Sequence, residues 1–315
     1  MYTHPDHPWH TPDPVRDLPV PAETRGPVDV ILDTDTYNEV DDQFALVYSL
    51  LNPERLNMLA IHAAPFHNKR STGPGDGMEK SYDEIQRVLE RMHWDKPLPV
   101  HRGSKTYLSA ADKPVDSDAA RDLVERAMQN RDQPLHVIAI GAITNVASAL
   151  LMEPRIASRI RIYWLAGQPL DWPRAREFNL VQDMHASRLI FDSGVPLVLV
   201  PCTNVAEHIR ISIPELRELI APAGEIGQYL FDTVAGYHDD HRGWSKVIWD
   251  VAPIASLLNA KWVPTALDHS PILTDQQTYS RDRSRHMIRV ATHANRDPIW
   301  RDIADKLLAY AKQPA

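Results

Sequence analysis

The stretch Val28-Asp29-Val30-Ile31-Leu32-Asp33-Thr34-Asp35-Thr36-Tyr37-Asn38-Glu39-Val40-Asp41-Asp42-Gln43-Phe44-Ala45-Leu46 decides how this chain reads. It opens as a short β-branched and aliphatic run, the mark of a buried strand, and passes into an apolar-periodic segment, Phe44 to Leu51, that reads as a helix. The acids stand where the strand stops. Asp33, Asp35, Glu39, Asp41 and Asp42 fall within ten residues, and no Lys or Arg lies between Arg25 and Arg55. Like charges at this spacing raise one another's pKa or gather a cation. Oxygen-only ligands suit a hard ion such as Ca²⁺ or Mg²⁺, and the stretch lacks the His and Cys that zinc favours. Helix capping is the plainer reading: Asp41 as an N-cap and Asp42 as an acid set against the helix dipole. It leaves Asp33 and Asp35 unexplained. Two apart on a strand, they share a face at its carboxyl end, where open α/β sheets bind ligands.

The surrounding chain sets bounds on that site. At 315 residues it can bury a sizeable core, and its net charge of −8 offers no attraction to nucleic acid or an anionic membrane. The single cysteine, Cys202, excludes an intramolecular disulfide, fits a reducing compartment and reads as a buried structural thiol just after a strand. No run approaches the roughly 18 apolar residues of a membrane span. The first ten residues lack the apolar centre of a secretory leader, so a soluble cytoplasmic protein is expected. Residues 1–27, rich in Pro and His without periodicity, read as an extended arm, with His4, His7 and His10 solvated; residues 28–315 read as one domain.

Further strands are expected at residues 56–63, 97–101, 135–140, 160–166 and 195–200, alternating with helices at 78–93, 118–129, 144–151 and 184–192. Such alternation predicts an α/β fold, an open and mostly parallel sheet with helices on both faces. The loop at 65–77 carries three glycines but lacks the Gly-Lys-Ser/Thr ending of a phosphate loop. The later half reads as helical, at 213–220, 225–237 and 251–258. Between the last two lies a polar, aromatic segment, residues 237–246, which is an exposed loop or a lid over a site.

At Asp33-Thr34-Asp35 followed by Asp41-Asp42 the chain resembles the calcium-dependent nucleoside hydrolases of the inosine-uridine-preferring type, which open with Asp-x-Asp and Asp-Asp across a strand-to-helix turn. Four more blocks follow in the same order: Ile140 to Asn145, Glu177-Phe178-Asn179, Phe191 to Pro196, and Trp249-Asp250. The resemblance implies a nucleoside hydrolase-like domain with a Rossmann-like core, dependence on Ca²⁺, and assembly as dimers or tetramers. It also implies hydrolysis of the N-glycosidic bond of a ribonucleoside or related N-ribosyl compound. By position, Asp35 is then a calcium ligand and the general base. Asp42, Asp250 and the backbone carbonyl of Ile140 complete the protein's ligands. Asp41 and Asn179 hold the ribose hydroxyls, Glu177 and Asp171 lie near the 5′ end, and Asp33 supports the loop.

The underlying chemistry follows from the residues. A hard cation on carboxylates lowers the pKa of water, a neighbouring Asp takes the proton, and carboxylates stabilise an oxocarbenium-like state. Departures from the family pattern bear on the leaving group. Two extra residues separate Asp35 from Asp41, and the familiar His-Asp pair reads Trp249-Asp250. The aspartate is kept and the acid is lost. Trp249 either stacks on a purine or is a core aromatic ahead of a helix. Tyr237, His238 and His241 are the alternative acids, and His67 or Asn68 stands where the family places a substrate-contacting Asn. Two rivals remain in view. A haloacid dehalogenase-like phosphatase would use Asp33 as nucleophile, but Asp41-Asp42 follows too soon and the threonine stands at 36 instead of 37. A calcium-dependent nucleoside- or ribose-binding protein without turnover is the other.

Overall fold

A computed structural model describes Leu18 and residues 26–312; the expected arm therefore lies almost wholly outside the described residues. The first half alternates strand and helix. Its elements are β1 (Val28–Thr34), α1 (Asp42–Leu50), β2 (Leu56–Ala63), α2 (Pro74–Arg91), β3 (Val100–Arg102), α3 (Asp118–Met128), β4 (Leu135–Ala139) and α4 (Thr144–Met152). The pattern continues with β5 (Ile160–Leu165), α5 (Phe178–Gln182), α6 (Met184–Asp192) and β6 (Leu197–Val200). Next come β7 (Arg210–Ser212), α7 (Ile213–Leu219), α8 (Gly224–Ala235), β8 (Ser245–Val247) and α9 (Val251–Leu258). The chain closes with β9 (Thr265–His269), β10 (Ile272–Leu273), β11 (Tyr279–Ser280), β12 (Met287–Ala291) and α10 (Arg296–Tyr310).

Eight strands form the main sheet in the order β3-β2-β1-β4-β5-β6-β12-β9, parallel throughout except for β9, which runs antiparallel on β12. Alternate residues of β1 feed two cores. Val30 and Leu32 pack with Phe44, Leu46 and Trp300 on one face, while Ile31 packs with Val137, Trp164 and Phe191 on the other. Burial on both faces is why these strands read as unbroken apolar runs. The order reverses between β1 and β4. A crevice opens at such a switch point, outside the carboxyl ends of the strands, and Asp35 lies just past the end of β1.

Two expectations need correction. Helix α2 starts at Pro74, earlier than periodicity suggests, because proline suits a first helical position whose N–H has no partner. Gly77 lies inside that helix because a Cβ there would meet the Phe66 carbonyl oxygen at 2.0 Å, so its glycine is a packing requirement and no loop signal. The three later helices stand where they were expected, as α7, α8 and α9, but the later half is not helical alone: β9 and β12 extend the sheet, β7 and β8 pair as a separate antiparallel ribbon, and α10 follows. Among the described residues, no helix is long and apolar enough to cross a membrane.

Candidate active site

Five acids converge where β1 ends. Asp33, Asp35, Asp41, Asp42 and Asp250 are all buried. Asp41 holds the N-cap position of α1 but makes no side-chain capping bond; its Oδ2 instead accepts the backbone N–H of Trp249 at 3.0 Å. That bond ties the strand-to-helix turn to the entry of α9, so capping does not account for Asp41. Asp42 accepts the Thr34 hydroxyl at 2.6 Å, and Asp33 accepts the Asn145 amide at 2.8 Å. Asn145 in turn accepts the Ser104 N–H at 2.7 Å, joining three loops around Asp33.

These bonds leave oxygens over. Asp33 Oδ1, both oxygens of Asp35, Asp41 Oδ1 and Asp42 Oδ2 are buried with no hydrogen-bond partner. Each such oxygen costs free energy unless something satisfies it. Desolvation raises all five carboxyls, Asp33 and Asp42 to about 7 and Asp41 to about 6, with Asp35 and Asp250 well above the ordinary range. Mutual repulsion adds to Asp35, Asp42 and Asp250. Asp41, Asp42 and Asp250 each offer an oxygen within 4.8 Å of the others'. Oxygen-only and crowded, with Asp41 Oδ1 and Asp42 Oδ2 unpartnered, the set fits a hard divalent cation. This trio includes Asp41, which the resemblance gives to the ribose, and omits Asp35. The Asp35 carboxyl lies against Gly141, whose missing Cβ would come 3.0 Å from Asp35 Cγ.

Above the acids is a cavity of about 650 Å³ whose floor carries Asp41, Asp250, Asn179, Ile140 and Trp249. Asn179 Nδ2 donates to the carbonyls of Ile140 (3.1 Å) and Leu165 (3.0 Å), bridging the ends of β4 and β5. One wall, from the β5 and β6 ends, presents Gln168, Glu177, Cys202 and Thr203. Glu177 is the N-cap of α5, its carboxylate taking the N–H groups of Gly167, Asn179 and Leu180. The lining also includes Asn38 and Glu39 from the turn after β1, Asn68, Lys69 and Arg70 from the loop after β2, and Tyr237.

Seven expected residues do not line the cavity: Asp33, Asp35 and Asp42 are fully buried beside it, and four others lie away from it. Asp171 is exposed on the loop after β5, and His67 is exposed and meets Gln182 through its backbone N–H at 2.8 Å. His238 stacks on Trp244 at 5.3 Å between centroids, and His241 Nε2 donates to the Ala235 carbonyl at the end of α8 at 3.0 Å, so both are engaged away from the cavity. Of the three alternative acids, Tyr237 alone reaches the cavity, where its hydroxyl donates to Glu39 Oε1 at 2.7 Å. Burial and the Glu39 carboxylate hold that phenol well above its ordinary pKa. Sequence reasoning missed Asn38, Lys69, Arg70, Gln168 and Thr203 as lining residues, and buried Lys246, whose Nζ lies 3.1 Å from Glu39 Oε2. The two-residue lengthening of the turn marked Asn38 in advance, and Glu39 stood out as one of the crowded acids.

Known proteins resemble this chain in sequence and in fold. Residues 30–301 match the family model of the inosine-uridine preferring nucleoside hydrolases. The pyrimidine-specific ribonucleoside hydrolase RihA of Klebsiella pneumoniae is 28% identical over 71% of this chain and 76% of its own length. RihA of Salmonella dublin is likewise 28% identical, over 73% of this chain and 79% of its own. Among solved structures, the purine-preferring ribonucleoside hydrolase of Gardnerella vaginalis superposes with a TM-score of 0.72 at 19% identity, covering 90% of this chain and 99% of that one. A plant nucleoside hydrolase, PpNRh1, gives 0.69 at 18% identity over the same shares. With a fold of this order, an acidic crevice at its switch point and a family match over most of its length, the chain belongs to the inosine-uridine preferring nucleoside hydrolases, glycosidases that cleave N-ribosyl bonds.

Proposed function

We propose that the cavity hydrolyses the N-glycosidic bond of a ribonucleoside, or a related N-ribosyl compound, with Ca²⁺ as cofactor. The observation that carries this reading is the set of five buried, unpartnered carboxylate oxygens beneath the cavity floor. Asp35, Asp42, Asp250 and the Ile140 carbonyl hold the ion in this reading. Bound there, it supplies Lewis acidity toward water and hydroxyl oxygens. Asp35, with both oxygens free of other bonds, takes the proton from the attacking water. Asp41 and Asn179 on the floor hold the ribose hydroxyls, and Glu177 stands at the 5′ end, its carboxylate already anchored by three N–H groups. The crowded carboxylates stabilise the positive charge that grows on the sugar.

In this reading Trp249 and Asn68, both of which line the cavity, meet the base, and the indole face receives it as it departs. The RihA relatives are named as pyrimidine-specific, so a purine preference is not assumed. Cys202, buried and free, suits a reducing compartment, which we take to be the cytoplasm. Assembly as a dimer or tetramer belongs to the same reading and is tested by light scattering.

Ribose release from a panel of purine and pyrimidine nucleosides, with added Ca²⁺ and with chelator, tests the activity and ranks the bases. Asp35→Asn is expected to lower kcat by about 10²- to 10⁴-fold, the usual contribution of a general base. Nucleoside binding without release across the panel would convert the reading to a binding protein.

A further inference from the structure

Three loops meet at Glu39. It stands in the lengthened turn between Asp35 and Asp41, and that turn is fixed from outside. Arg70 Nη1 donates to the carbonyls of Tyr37 (3.1 Å) and Glu39 (2.6 Å), with its guanidinium 5.0 Å from the Tyr37 ring centroid. Asn68 Nδ2 donates to Asn38 Oδ1 at 2.7 Å, and Gln43 Nε2 to the Thr36 carbonyl at 3.0 Å. The turn is thus a rigid post. From it the Glu39 side chain reaches the 237–246 segment with both oxygens: Oε1 accepts the Tyr237 hydroxyl at 2.7 Å, and Oε2 lies 3.1 Å from Lys246 Nζ.

Lys246 is 5% exposed, shares its ammonium with the Val247 carbonyl at 2.7 Å, and sits 5.4 Å over the Tyr237 ring. Between these two grips residues 238–244 bond to one another and to the end of α8, while Ser245 and Lys246 belong to the β7–β8 ribbon. His238 lies against Asp240, Arg242 N–H donates to Asp240, Trp244 N–H donates to the His241 carbonyl, and His241 donates back to the end of α8. Among the described residues, the hydrogen bonds and ion pairs that join this segment to the cavity-forming loops all end on Glu39. The segment is also short of buried apolar contacts, since residues 237–243 are exposed or half-buried. Few buried contacts and exposed bonds place it at the low end of local stability.

We propose that Glu39 is the latch of the active site: a positioning residue that holds the 237–244 segment against the cavity by gripping Tyr237, the segment's lining residue, with Lys246, fixed in β8, as the second contact. Substrate and product pass when the Tyr237–Glu39 bond parts. The kinetic part of this inference rests on the nucleoside hydrolase reading above, while the mechanical part does not. A hydrogen bond to a charged acceptor contributes about 1.5–3 kcal/mol, so its removal shifts the closed-to-open balance by about ten- to a hundredfold.

Limited trypsin digestion of the native full chain reads the latch directly, because cleavage after Arg242 tracks the open population when opening is fast. Tyr237→Phe leaves Lys246 paired and is the cleaner variant; its cleavage at Arg242 is expected to be about tenfold or more faster than wild type. Glu39→Ala should be at least as fast, and the double variant no faster than Glu39→Ala, since both substitutions break one contact. Glu39→Gln, which keeps an acceptor for Tyr237, should fall between wild type and Glu39→Ala. In the nucleoside assay Tyr237→Phe should raise KM by a larger factor than it lowers kcat. Cleavage at Arg242 equal in wild type and Tyr237→Phe, with circular dichroism showing both folded, overturns the latch, as does strict additivity in the double variant. A wild-type protein that releases no ribose overturns the hydrolase reading and leaves the trypsin result to decide the latch on its own.

Discussion

His136 sits in β4 with both ring nitrogens buried and unpartnered, its ring stacked on Tyr163 at 5.6 Å between centroids. Burial, and then the nearby Arg161 charge, push its pKa down to about 3. In the unfolded chain an ordinary histidine titrates near 6.5. Between those values the unfolded state binds more protons, so stability rises with pH; the contribution is full above about 6.5 and is lost as pH falls toward 3. His136→Phe keeps the stack and removes the titration. Urea unfolding at pH 7, 6 and 5 should show wild type losing about 1.4 kcal/mol per pH unit more than the variant below 6.5. Parallel slopes would refute the assignment. At this scale the sequence exposed what is local. Asp33, Asp35, Asp41 and Asp42 declared themselves by crowding within one turn, whereas the Glu39–Lys246 and Asp41–Trp249 contacts join positions that only the fold brings together.

At the level of elements, α5 shows how a site residue serves two ends. Its five residues are too few to be stable alone, and the Glu177 carboxylate anchors its start by accepting from Asn179 and Leu180, with Gly167 as a third donor. Glu177→Ala should cost about 2 kcal/mol, the upper range for a lost cap, and lower the thermal midpoint by several degrees in scanning calorimetry. An unchanged midpoint would show that the cap is dispensable. Most strands and helices through β6 were legible because each contains a buried apolar run or a clear helical stripe; β3, three half-buried or exposed residues, and α5 are the exceptions. The later strands were not legible. β9 is half-exposed along its length, and β10 and β11 are two residues each, too short to establish a period. α5 was likewise too short to show one.

Across the whole molecule, the acids come from positions more than 200 residues apart, Asp35 to Asp42 beyond β1 and Asp250 ahead of α9, and folding forces their charges together in a net-negative protein. A divalent cation that binds the folded state and not the unfolded one stabilises it by mass action, about 2.7 kcal/mol at a hundredfold excess over Kd. Ca²⁺ should therefore raise the thermal midpoint, chelator should lower it, and Asp250→Asn should shrink the difference; a midpoint indifferent to Ca²⁺ would contradict the metal reading. The sheet order carries one more consequence. Because β12 lies between β6 and β9, strand β6 waits for residues far downstream to cover its outer side. Synthesis proceeds from the N-terminus, so a nascent chain that has not yet delivered Met287–Ala291 presents Leu197–Val200, a run of Leu-Val-Leu-Val without a charge, as a bare pairing edge. Premature truncation is thus an invitation to strand-to-strand aggregation, beyond the loss of a working site.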